Sequence, residues 1–252
     1  MSLEINLLPK FIDKAMSPVA ESVGNSVANL WDLTFSNHIK LWKQKQEYKH
    51  QVNYQDYVEK VNTRIGEIQP DRLVEPSLHI IGPAIEASKY YIDSEELREM
   101  FANLIAASMN ADKTDNVHPS FVEIIKQLNT DEAKILKYIK GKHFPTLNVV
   151  AYTSSSQHSP TMENFSNVPY KADCDYPQNI HSYLENLNRL GLIDLHSQGT
   201  LTDVSVYEEL EQHPIIEHSL MLAGLLGEAK IIRSYAKSTM FGTKFYDTCI
   251  KS

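Results

Sequence analysis

Apolar residues recur every three or four positions across most of the first 140 residues, and that rhythm commits this part of the chain to helices. Between residues 5 and 35 it runs through Leu8, Ile12, Met16, Val19, Val23, Val27, Leu30 and Trp31. Pro18 and Gly24 interrupt it, which predicts two short helices or one kinked helix. Only 9 glycines and 11 prolines punctuate 252 residues, too few for a turn-rich all-β fold.

The most legible stretch is 70–128. Pro76 and Pro83 bracket a short apolar run, which predicts a helix broken or begun twice. Asp93 is placed to cap the next helix, with Glu96 reaching back to it. That helix carries Leu97, Met100, Phe101, Leu104, Ile105 and Ser108 on one face. A polar loop over 112–117 and Pro119 lead to a second stripe of Phe121, Ile124, Ile125 and Leu128. Two such stripes joined by a short loop predict a packed helical hairpin.

Beyond residue 140 the rhythm weakens. After a helix from about 130 that stops at Gly141, residues 146–152 read as a strand and 153–177 as a long loop. Residues 178–190 are helical again, Gly191 ends them, and 192–195 start a strand at once, as at the first wing of a winged-helix domain. Residues 213–226 read as a strand or a buried helix, and 230–235 as a second wing strand. Ser238 or Thr239 would cap a last helix bearing Phe241, Phe245 and Cys249. The predicted fold is mostly α. A helical N-terminal domain covers 1–128, and a smaller α+β, winged-helix-like domain covers 129–252.

The formal net charge is -8, unevenly spread. Residues 38–64 hold six basic and three acidic residues, a net of +3, with Trp42, Tyr48, Tyr54 and Tyr57 among them. Such a mixture fits a solvated helix face with aromatics turned inward, or a single-strand nucleic-acid surface. Trp31, Lys40, Lys43, Lys45 and Lys49 are the candidate interaction residues. Segment 5–35 is read as part of the core, with a peripheral membrane or partner contact as the alternative. Residues 130–229 hold six basic and thirteen acidic residues, a net of -7. In the helix there, Asn186 and Arg189 are the candidate DNA contacts, but the acidic surroundings argue against neutralising many phosphates.

No pattern for catalysis stands out. His213, Glu217 and His218 match neither HExxH nor HxxEH, and on a helix His218 would turn about 100° from the other two. His118 opens a helix without a nucleophile or acid nearby. Ser154, Ser155 and Ser156 lack a base and a fixed turn. Neither glycine-rich phosphate motif is present. Cys174 and Cys249 form no CxxC pair and fit a reducing compartment. The first residues carry acidic Glu4 ahead of any apolar run, unlike a secretory signal. No stretch nears the roughly 20 apolar residues that cross a bilayer. The expectation is a cytoplasmic protein without cofactor or metal, not an enzyme, which acts on a protein partner or by self-association.

From residue 66 onward the chain resembles the abortive infection alpha family. The stretches that carry the resemblance are GEIQPDRLVEPSLHIIGPAIEA, SEELREMFANLIAASMNADKTDNVHPSFVEIIKQLNTDEAKIL, SYLENLNRLGLIDL and the closing STMFGTKFYDTCI. The block MFANLIAASMN through VHPSFVEIIKQL is the most specific, and the first 65 residues match loosely. The resemblance implies a bacterial factor that stops an infected cell from yielding phage. It implies no catalytic residue. Phe101, Leu104, Ser108, Met109, His118, Pro119, Phe121 and Leu128 look like packing and capping positions.

Overall fold

The computed structural model of the chain describes residues 18–44, 48–154, 157–197 and 199–251. These are mostly helical and form two compact units, one up to Thr130 plus 244 onward, the other Asp131–Thr243. The last residues belong to the helical unit. There Phe245 and Cys249 are fully buried, and the Phe245 ring meets Phe121 edge-on at 5.2 Å.

Helices α1 (Pro18–Gln44) and α2 (Tyr48–Gly66) open the helical unit. The former runs unbroken through Gly24. Val27, Trp31, Phe35, Ile39 and Trp42 form its buried stripe. Against them α2 sets Tyr54, Tyr57, Val58 and Val61. Trp31 lies 5.0 Å from Phe35 and 5.1 Å from Tyr57 between ring centroids, and its indole N–H donates to the Tyr54 hydroxyl at 2.9 Å.

Then come α3 (Leu78–Ser88), α4 (Glu95–Ser108) and α5 (Ser120–Gln127). Pro83 lies inside α3 without breaking it, so the two-start reading of this segment gives way to one helix. Its ring faces solvent, while Ile80, Ile81, Ala84 and Ile85 face the core. The α4 helix is the unit's axis, buried at every position from Leu97 to Ser108 except Glu99. Ser94, not Asp93, caps it by accepting from the Leu97 N–H. Asp93 instead accepts from the Asn53 amide at 2.9 Å and sits 3.1 Å from His50. A helix terminus takes the nearer hydroxyl when the acid one residue earlier has partners elsewhere.

In the second unit α6 (Thr130–Ile139) ends on two left-handed residues, Lys140 and Gly141. Strands β1 (Phe144–Ser154) and β2 (Gln157–Phe165) then form a hairpin. The long loop read over 153–177 is therefore partly a strand, followed by the short α7 (Val168–Lys171). As an edge strand with Pro160 in it and, among its described side chains, Phe165 alone fully buried, β2 offers no apolar alternation to read. Next come α8 (Ile180–Arg189), β3 (Ile193–His196), α9 (Glu208–Glu211), α10 (Pro214–Leu226) and β4 (Glu228–Ser238). The four strands pair antiparallel in the order β2-β1-β4-β3. Helix α11 (Met240–Phe245), capped by Thr239, leads into a π-helical turn, Tyr246–Ile250.

Candidate functional site

The candidate interaction residues divide by burial. Trp31 is fully buried, so its ring belongs to the core and is not offered to a partner. Packing decides this, because α1 can bury its aromatic stripe against Tyr54 and Tyr57 of α2. Lys40 on α1 and Lys49 on α2 are exposed. Lys43 lies on α1, but its side chain is outside the described residues, as are Lys45 and segment 5–17. Trp42, Tyr54 and Tyr57 point inward, and Tyr48 remains exposed.

On α8, Asn186 and Arg189 are bound to the unit itself. The Asn186 amide donates to Glu132 Oε1 at 2.8 Å and its Oδ1 accepts from Arg189 Nη2 at 2.6 Å. Glu132 is buried and holds the amide in place. Arg189 is exposed.

The histidines and cysteines have structural duties. His118 Nδ1 accepts from the Ser120 N–H at 3.1 Å, and His213 Nδ1 caps α10 through the Ile215 N–H at 3.3 Å. Burial lowers the His213 pKa, which favours the neutral ring that can accept. Burial also pushes the Cys174 thiol up to about 12 and Cys249 well above its ordinary value. Both stay protonated near neutral pH and are poor nucleophiles. Ser154 is part of β1, and Ser155 and Ser156 lie outside the described residues. Among the described residues no three His, Cys, Asp or Glu side chains converge on a metal position, and no helix is long and apolar enough to cross a membrane.

Two surface features emerge that the sequence reading missed. The first is on α10. Ile216, Ser219 and Ala223 face the sheet, while Met221, Leu222, Leu225 and Leu226 stand exposed, Leu225 at 79%. The other is a groove of about 190 Å³ in the helical unit, between the end of α2, the second half of α4 and the π-helical turn. Its geometry is set by Asn103, a buried amide on an otherwise apolar stretch of α4. The Asn103 Nδ2 donates to the Cys249 carbonyl at 2.9 Å, and its Oδ1 accepts from Arg64 Nε. The wide turn closes with the Lys251 N–H on the Tyr246 carbonyl at 2.9 Å. The only sequence signal for this groove was the polar Asn103 inside a buried stripe.

Residues 49–249 match the family described as abortive infection alpha. No curated protein matches the chain. A solved structure, that of an uncharacterized protein from the hydrocarbon-degrading marine bacterium Alcanivorax borkumensis SK2, is similar at 20% identity. The similarity covers 55% of this chain and 94% of that one, with a TM-score of 0.39. The family match takes in α2 to the π-helical turn, including the Arg64–Asn103–Cys249 arrangement, and on it the chain belongs to the abortive infection alpha family.

Proposed function

We propose that the chain is a phage-defence factor that lowers phage yield by binding, not by catalysis. Family membership over residues 49–249 carries the first half of this reading. The second half rests on what the distinctive residues do. Phe101, Leu104, Ser108, Met109, Phe121 and Leu128 are buried packing positions. His118 is a capping residue and Cys249 a protonated core thiol. The exposed apolar face of α10 supports a binding mode of action, since contiguous exposed apolar side chains mark contact surfaces. A reducing, cytoplasmic setting suits the two unpaired cysteines.

The test is phage yield in bacteria expressing the intact chain. His118→Gln, His213→Gln and Cys249→Ala should keep protection wherever the variant stays folded. Replacing Met221 and Leu225 together by Glu should keep the fold and reduce protection. Loss of protection in a folded histidine or cysteine variant would turn the reading toward an enzyme.

A second reading has one observation in its favour. The order α6, β1, α7, α8, β3, β4, with β1-β4-β3 adjacent in the sheet, follows the winged-helix plan. Here β2 is an added edge strand, and α9 and α10 replace the first wing. A winged helix that binds DNA presents the second helix of its helix-turn-helix pair, here α8 after α7, to the major groove. On α8 that duty would fall to Asn188 and Arg189, with Asn186 already engaged by Glu132. We expect weak or no duplex binding at physiological salt. Sequence-specific gel shifts lost on replacing Asn188 and Arg189 by Ala would promote the regulator reading.

A further inference from the structure

The groove between α2, α4 and the π-helical turn brings together three cations, Arg64, Lys113 and Lys251, two of which have no carboxylate partner among the described residues. Arg64, half-buried on the last turns of α2, donates Nε to Asn103 Oδ1 and Nη1 to the Lys60 carbonyl at 3.2 Å. Both acceptors are neutral, and no carboxylate pairs with this guanidinium among the described residues. Lys113 lines the same groove, and no side-chain hydrogen bond or ion pair holds its ammonium among the described residues. Lys251 stands at the rim in an exposed i,i+4 ion pair with Asp247 at 3.6 Å, which contributes little and can be given up to a ligand. The groove shares Lys113, Thr248 and Lys251 with a second recess of about 290 Å³.

We propose that this groove binds a small phosphomonoester, its phosphate held by Arg64, Lys113 and Lys251. Three cations suit a dianion better than a single carboxylate, and a planar guanidinium matches two phosphate oxygens at once. Arg64 is already oriented, because Asn103 is itself locked on the Cys249 carbonyl. Little order is then lost on binding. The floor is open because α4 carries Ala106 and Ala107 there. Glu67 also lines the groove, in no ion pair among the described residues. A carboxylate in a basic groove repels a bare anion but accepts from a hydroxyl. The ligand that fits both ends is a phosphate joined to a hydroxyl-bearing group, such as a sugar or nucleoside. This assignment stands apart from the phage-defence reading, since binding is measured on the purified protein.

The experiment is titration calorimetry on the full chain at low salt with ribose 5-phosphate, adenosine monophosphate, inorganic phosphate and ribose. At least one of the two phosphomonoesters should bind with a Kd below about 1 mM, and ribose should not bind. Added salt should weaken binding. Lys113→Glu, which removes a cation at an exposed position, and Ala106→Met, which fills the floor, should each weaken it at least about tenfold while circular dichroism is unchanged. Arg64→Lys should weaken it by losing the fork while keeping the charge. No heat from either phosphomonoester at about 10 mM would overturn the proposal. So would parental affinity in the Lys113→Glu variant. Inorganic phosphate binding as tightly as both phosphomonoesters would overturn the choice of ligand.

Discussion

The indole N–H of Trp31 has one partner, the Tyr54 hydroxyl, and both groups are fully buried. Burial pushes the Tyr54 pKa up to about 12 although the Trp31 bond pulls it down, so the hydroxyl stays neutral at any ordinary pH. Tyr54→Phe would leave the indole donor unsatisfied in an apolar setting. We expect a loss of about 1–3 kcal/mol, read from the urea midpoint. Asp131 gives a pH-dependent counterpart in the second unit. Burial raises its pKa, but the Tyr183 hydroxyl at 2.7 Å and the amides of Asp175 and Tyr176 at 2.7 and 2.9 Å outweigh burial and hold it low. A depressed folded pKa means stability that is complete above the unfolded value of about 3.9 and is lost as pH falls through the folded one. Asp131→Asn should therefore cost about 2 kcal/mol near neutral pH. The gap between variant and parent should close as pH falls through the lowered folded value, in urea melts across the acid range. An unchanged gap would mean that the carboxylate charge contributes nothing.

Among the elements, α11 depends on its glycine. A Cβ on Gly242 would lie 1.9 Å from the Leu192 carbonyl oxygen, at the start of the chain's passage into β3. That oxygen belongs to backbone, which cannot swing aside. Gly242→Ala should cost at least about 2 kcal/mol, as overpacking that shifts backbone does, in thermal melts. This explains the glycine in the family's closing motif by close approach alone. The same scale shows what a sequence reader can see. Helices α4 and α5 were legible because Phe101, Leu104, Phe121 and Ile125 repeat at helical spacing and all turned out buried. Strand β3 was legible from the stop at Gly191 and its apolar content, and β4 only in its middle, over 230–235. Strand β2 was not, because an edge strand with polar residues on its outer face carries no alternation. The exposed side of α10 was read as a strand or a buried helix, since an all-apolar run does not reveal which face lacks a partner. The Arg64–Asn103 bond joins residues 39 apart and the Asn103–Cys249 bond joins residues 146 apart, separations that no local pattern encodes. The candidate groove was therefore invisible until the helices were packed.

On the scale of the whole molecule, the N-terminal region must be divided before its role can be tested. Residues 18–44 are one helix whose Val27, Trp31 and Phe35 sit in the core of the helical unit. Removing residues 1–35 takes all three away. At roughly 1.5–3 kcal/mol for each large side chain buried, that loss compares with the whole stability of a typical domain. We expect the 36–252 chain to lose the cooperative unfolding transition of its helical unit, so its failure to protect cells would say nothing about an effector role. Removing residues 1–17 spares every buried residue of α1 described above. We expect the 18–252 chain to keep its melting transition and yet to protect less well against phage. The lost apolar positions Leu8, Ile12 and Met16, together with the exposed Lys40 and Lys49, would then form part of the contact with an anionic surface or a partner. Full protection by a folded 18–252 chain would exclude the first 17 residues from the contact and leave the apolar face of α10 as its surface.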